Sequence, residues 1–145
     1  MNHSTQSGIK DFMHQHPMAV IATHANGALA PESALIAFVE LDDLSLVFET
    51  FSGTRKHHNI QANAHVSLVI GWDINIHKTL QYEGVASFVE ESNKDSVIEL
   101  FKTKDTPCTE VFLRNHQARF FMVKPTWLRY SDYTKDKPII IEESF

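Results

Sequence analysis

The chain has 145 residues, enough for one domain that buries about two-thirds of its unfolded surface. Hydrophobic residues make up 43% and charged residues 21%, an ordinary globular composition. The formal net charge of -5 speaks against a general nucleic-acid binder, which needs a basic face.

The single cysteine, Cys108, excludes an internal disulfide and a thiolate metal cluster. Nine histidines are present, but the spacing of His14/His16, His57/His58, His65, His77 and His116 matches no H-E-x-x-H or comparable ligand set, so no metal site is expected. No apolar run approaches the ~20 residues that span a membrane. The opening MNHSTQSGIKDF lacks the apolar core of a signal peptide, so a cytoplasmic protein is expected.

In chain order, Gln6 to His16 predicts an amphipathic helix, with Ile9, Phe12 and Met13 at i, i+3 and i+4, stopped by Pro17. Met18 to Thr23 reads as a buried strand, and Asn26-Gly27 is the strongest hairpin signal in the sequence. The return strand runs from about Ala28 to Val39, with Pro31 marking an edge or bulge. Asp42-Asp43 turn the chain into a strand over Leu44–Thr50. A turn at Ser52-Gly53 leads to Thr54, which can cap a helix from Arg55 to about Gln61, and a strand from His65 to Gly71 follows. Trp72 to His77 reads as a loop, and Lys78 to Glu90 as a long strand with Gly84 as a candidate bulge.

Ser92 with Asp95 three residues on resembles a capping box, opening a helix through Val97, Ile98, Leu100 and Phe101. Thr106 to Asn115 has no clear pattern, although Val111-Phe112-Leu113 looks buried. Ala118 to Val123 reads as one strand and a second begins after Pro125 at Trp127. The acidic tail ending Glu142-Glu143-Ser144-Phe145 has no role by pattern. The sum is a single mainly β domain over residues 1–145, a barrel of about six strands with two to three peripheral helices.

The stretch FETFSGTRKHHNIQANAHVSLVIGW, Phe48 to Trp72, carries the chemistry. The first N–H groups of a helix point outward without partners, so its entry can hold a phosphate. Thr54 Oγ1, the Arg55 fork and the Lys56 ammonium would add charge-assisted hydrogen bonds. Thr50 and Ser52 flank the turn, where their hydroxyls can reach a phosphate or a polyol chain, or else satisfy local backbone. The same basic residues would also suit an ordinary surface loop.

Phe48, Thr50, Gly53, Thr54-Arg55-Lys56, Ile60, Asn63 and Val66-Ser67-Leu68 together resemble the FMN-binding core of the pyridoxamine 5'-phosphate oxidase-like flavoproteins. The likeness runs from about Met18 to Val89. It implies a split β-barrel, a homodimer with FMN at the subunit interface, and an FMN phosphate held by Thr54, Arg55 and Lys56. It further implies that Thr50 lies against the flavin and that the strand opening Pro31-Glu32-Ser33-Ala34 passes beside the ring, making Glu32 and Ser33 candidates. Gln81, with Tyr82, occupies the strand that offers side chains to the pyrimidine edge. Trp127 and Trp72 are the largest side chains available for a ring contact, although tryptophan is more often a core or interface residue. Arg129 could face the flavin or pair with Asp132.

Two departures from the family stand out. Vitamin-B6 oxidases carry an Arg and a Lys on the second strand where this chain has Ala34 and Val39. They also end on an R-L-H-D-R-type substrate segment where this chain has Trp127-Leu128-Arg129-Tyr130-Ser131-Asp132. The resemblance therefore implies an FMN-binding oxidoreductase of unassigned substrate and electron donor, not a B6 oxidase. No acid–base pair is visible and no catalytic residue is named. A flavin carrier or sensor, or a haem-binding or haem-degrading relative, are the alternatives.

Overall fold

The computed structural model describes residues 1–25, 27–71 and 75–145. Seven strands form one antiparallel sheet: β1 (Met18–Thr23), β2 (Glu32–Glu40), β3 (Leu46–Phe51), β4 (His65–Ile70), β5 (Lys78–Phe88), β6 (Ala118–Asp132) and β7 (Ile139–Ser144). Their order is β3-β2-β1-β4-β5-β6-β7, and β3 also pairs with β6. That second pairing closes six strands into a barrel and leaves β7 outside it. The helices are α1 (His3–His14), α2 (Arg55–Ala62), α3 (Lys94–Thr103) and the single turn α4 (Glu110–Leu113). The expected mainly β split barrel is the fold observed, with one strand and one short helix more than the pattern gave.

The splitting comes from β6. Its first half, Ala118 to Val123, pairs with β3, and its second half, Trp127 to Asp132, pairs with β7, while β5 runs alongside both. The sequence predicts two strands broken at Pro125, because proline cannot donate to a ladder. The chain instead continues straight through. The register slips between Glu83 and Gly84, so that Glu83 faces Trp127 and Gly84 faces Pro125, with Thr126 as the extra residue. The bulge absorbs the missing donor. Gly84 is required there, since a Cβ would lie 2.4 Å from the Lys124 carbonyl oxygen.

Two apolar clusters result. One fills the barrel, with Phe38, Leu46, Phe48, Leu68, Tyr82 and Val123 among its members, and α1 plugs it with Ile9, Phe12 and Met13. The second lies on the outer wall, where Ala37, Val39, Val47 and Phe120 pack under Val97, Ile98, Phe101 and Leu113 of α3 and α4. The wall is therefore buried on both faces over part of β2 and β3, which explains why Leu46, Val47 and Phe48 are apolar in succession.

Several local expectations change. Leu44, Leu46, Val47 and Phe48 are all buried by the chain's own elements. The capping box at Ser92 and Asp95 does not form; a 3-10 turn over Glu91–Asn93 leads into α3 without a side-chain cap. Of Val111-Phe112-Leu113 only Leu113 is buried, and Val111 is 84% exposed. The Asn26-Gly27 turn and the Trp72–His77 loop each include residues outside those described, but β1 and β2 do form the expected antiparallel pair.

Candidate functional site

Gly53 adopts φ +86°, a left-handed conformation that lets the chain reverse between β3 and α2. Thr54 then caps α2, accepting a hydrogen bond from the His57 amide at 3.4 Å, and its Oγ1 lies 2.9 Å from Thr50 Oγ1 and 3.0 Å from the Phe51 carbonyl. This fixes the helix entry against the end of β3. The amides of Arg55 and Lys56 have no intrahelical acceptor within reach, which is the condition for holding an anion.

Two cavities meet at this entry and share Thr54 and Lys56. The smaller, about 190 Å³, is lined by Thr23, Glu32, Ser33, Ala34, Thr54, Arg55 and Lys56. Ala34, where B6 oxidases carry an arginine, lines this cavity and adds no charge to it. The larger, about 450 Å³, lies between the outer face of β2 and β3 and the segment joining α3 to α4. Leu35, Ala37 and Phe51 give it apolar walls, Pro107, Cys108 and Phe112 roof it, and Glu49, Thr50 and Lys56 are its polar members. Its volume falls in the range of small-molecule sites.

Charge is unevenly balanced here. Arg55 Nη1 lies 3.0 Å from Glu32 Oε1, and Asn59 Nδ2 donates to Glu32 Oε2 at 2.9 Å and to Thr23 Oγ1 at 3.0 Å. Glu32 thus accepts from the arginine and from Asn59, and is not a free acceptor for a ligand. Burial lowers the Lys56 ammonium's pKa, with the Glu49 carboxylate opposing that shift. Burial also pushes the Glu49 carboxyl up to about 7, against the pull of Lys56. His57 is buried with Nδ1 unsatisfied, and burial lowers its pKa, with His58 and Arg119 adding to the shift.

Of the residues singled out in the sequence, Thr50, Thr54, Arg55, Lys56, Glu32 and Ser33 line one or both cavities. Ser52, Gln81 and Trp127 line neither. Ser52 donates its amide to the Gln117 carbonyl at 2.8 Å. Gln81 is exposed on β5 between Val69 and Arg129, and Trp127 donates to Glu142 Oε1 at 3.2 Å. Tyr82 points into the core, its hydroxyl 3.0 Å from the carbonyls of Leu44 and Val123, so it cannot serve a ligand. Asp132 is engaged by Lys78 and Thr134, not by Arg129. Trp72 lies outside the described residues. Sequence reading missed Glu49, Cys108 and Phe112. A lone acid inside the apolar run Leu46–Phe51 was the available signal for Glu49; the other two reach the site only through the fold.

A family model described as pyridoxamine 5'-phosphate oxidase matches residues 6–131. The chain belongs to this family. Among solved structures, it resembles a putative pyridoxamine 5'-phosphate oxidase from Listeria innocua at 23% identity and a TM-score of 0.71, covering 87% of this chain and 97% of that one. It also resembles Campylobacter jejuni ChuZ (13% identity, TM-score 0.78, 97% of this chain and 60% of that one). A heme binding protein from Mycobacterium smegmatis matches at 10% identity and a TM-score of 0.77, over 99% of this chain and 58% of that one. The chain thus spans under two-thirds of the length of the latter two, and these likenesses speak to the fold. No curated protein matches at significant sequence similarity. No described helix is long and apolar enough to cross a membrane.

Proposed function

We propose that this is an FMN-binding flavoprotein and an oxidoreductase whose substrate and electron donor are unassigned. The observation that carries the reading is the junction of the two cavities at Thr54 and Lys56. One side offers a cationic helix entry sized for a phosphate, and the other offers an apolar slot for a ring. Ser33, Thr54, Arg55 and Lys56 would hold the phosphate, and Thr50 would face the polyol chain. The residues present fit the group, although Glu32 must release Arg55 for the arginine to engage fully. A bound flavin would supply hydride and electron transfer; the protein supplies position and electrostatics.

The reading includes a homodimer. Val20, Leu35 and Val69 are 37%, 56% and 42% exposed. They are cross-strand neighbours in the registers Val20↔Leu35 and Val20↔Val69, so they form one apolar row on the outer face. Gln81, paired with Val69, extends that row, and a second copy seated there would bring Gln81 and Trp127 toward its partner's site.

Purified protein should carry the yellow flavin spectrum, or acquire it on adding FMN; a colourless protein that takes up none contradicts the reading. Turnover of a reduced nicotinamide by the loaded protein separates an enzyme from a carrier or sensor. Pyridoxamine phosphate should give only background turnover, because the Trp127–Asp132 segment lacks a substrate clamp; saturable pyridoxal phosphate formation would overturn that expectation. Haem is the second reading, favoured by a separate cavity of about 310 Å³ that His24 and His65 both line. A Soret band on haem titration, lost in His24→Ala/His65→Ala, would support it.

A further inference from the structure

Glu49 has no counterpart in the phosphate chemistry above. Its neighbours on β3, Val47 and Phe51, pack in or against the outer-wall cluster, and Glu49 lies between them in the wall of the larger cavity. Only 7% of the residue is exposed, and Oε1 is fully buried with no hydrogen-bond partner. An ionised carboxylate in such a place would be short of the donors it needs, whereas a neutral acid has a hydrogen to give.

We propose that Glu49 recognises the ring portion of the bound ligand as a neutral carboxylic acid, giving a hydrogen bond to an acceptor atom on a planar heteroaromatic ring. This rests on the FMN reading and assigns a ring-selecting residue within it. The surroundings favour the neutral form. β2 contributes Leu35, Ile36 and Ala37, and β6 places Phe120 opposite Glu49, none of which is charged. The α3–α4 segment contributes Cys108, whose thiol is pushed up chiefly by burial, so it is neutral as well. Lys56 of α2 is the one cation facing the carboxyl among these elements. A ligand phosphate that draws on Lys56 removes part of the attraction that would ionise Glu49. Carboxylic acids kept neutral by apolar surroundings are known to serve as hydrogen-bond donors in this way.

The test is FMN affinity, read by quenching of flavin fluorescence at pH 6 and pH 8, for the wild type, Glu49→Gln and Glu49→Leu. Glutamine keeps a donor and cannot titrate; leucine removes it. Relative to Glu49→Gln, which absorbs any contribution from ionisation of the FMN phosphate, wild-type affinity should fall about tenfold between the two pH values. Glu49→Gln should match the wild type at pH 6, and Glu49→Leu should be weaker there by up to about tenfold. Tight binding with the same pH profile in wild type and Glu49→Gln would overturn this proposal while leaving the FMN reading intact. No FMN binding by the wild type at either pH would overturn both. Glu49→Gln carries the test even if the leucine variant fails to fold.

Discussion

Arg55 of the T-R-K triplet is held by Glu32, Nη1 to Oε1 at 3.0 Å, so the strand that should flank the ligand also restrains its cation. The side chain of Arg55 is 75% exposed and that of Glu32 32%, which makes the pair weak and exchangeable. A phosphate dianion at the helix entry competes directly with the carboxylate for the guanidinium.

Replacing Glu32 with Gln should therefore tighten FMN by about three- to fivefold, corresponding to ~1 kcal/mol of lost competition. Glutamine retains an oxygen for Asn59, so the helix should stay in place. Titration at low ionic strength checks this, and weaker binding would mean that Glu32 positions the arginine and does not compete for it.

Glu49 also shapes stability. Its folded-state pKa is raised from the ordinary 4.5 to about 7, chiefly by burial. Below pH 4.5 both folded and unfolded states are protonated and the group is neutral in its effect. As pH climbs from 4.5 to 7 the unfolded chain ionises first, and the folded state loses stability; above 7 the loss is complete. Glu49→Gln should match the wild type near pH 4 and exceed it above pH 7 by on the order of 2 kcal/mol, after allowing for water at the open side of the cavity. Urea denaturation at the two pH values gives the comparison, and an equal difference at both would contradict it.

A different buried charge holds the far end of β2. Lys104 Nζ, at the end of α3, lies 2.6 Å from Glu40 Oε2, donates to the Met13 carbonyl at 3.0 Å and stands 3.7 Å from the centre of the Phe38 ring. Both charged side chains are nearly enclosed, at 3% and 5% exposure. Lys104→Ala would leave Glu40 with only His14, whose Nδ1 lies 2.6 Å from Oε1, and should cost about 3 kcal/mol. Lys104→Met combined with Glu40→Leu should recover most of that loss. A loss below 1 kcal/mol for the single change would show that water already reaches the pair.

The sequence made the local unit at residues 50–62 readable because a capping threonine, a permissive glycine and two cations occur in consecutive positions. Periodicity also exposed α1 and Gly84. It could not reveal that β6 runs through Pro125, since that depends on a bulge in a strand some forty residues earlier in the chain. Nor could it reveal β7: Ile139 and Ile140 are about half exposed, and the strand is placed by its pairing with β6 and by Ile141 packing against the barrel core. At the site, the cation cluster was legible, while the roof from Pro107 to Phe112 was not, because α3 and α4 bring it there over a sequence distance that no local pattern encodes.

The most direct test of the account compares FMN with riboflavin on the wild type and on Arg55→Ala/Lys56→Ala. Each lost charged hydrogen bond is worth ~1.5 kcal/mol or more, so the double variant should bind FMN at least about a hundredfold more weakly. Riboflavin, which has no phosphate, should bind both proteins alike. Equal losses for the two ligands, or no loss for FMN, would contradict the assignment of this helix entry as the phosphate site.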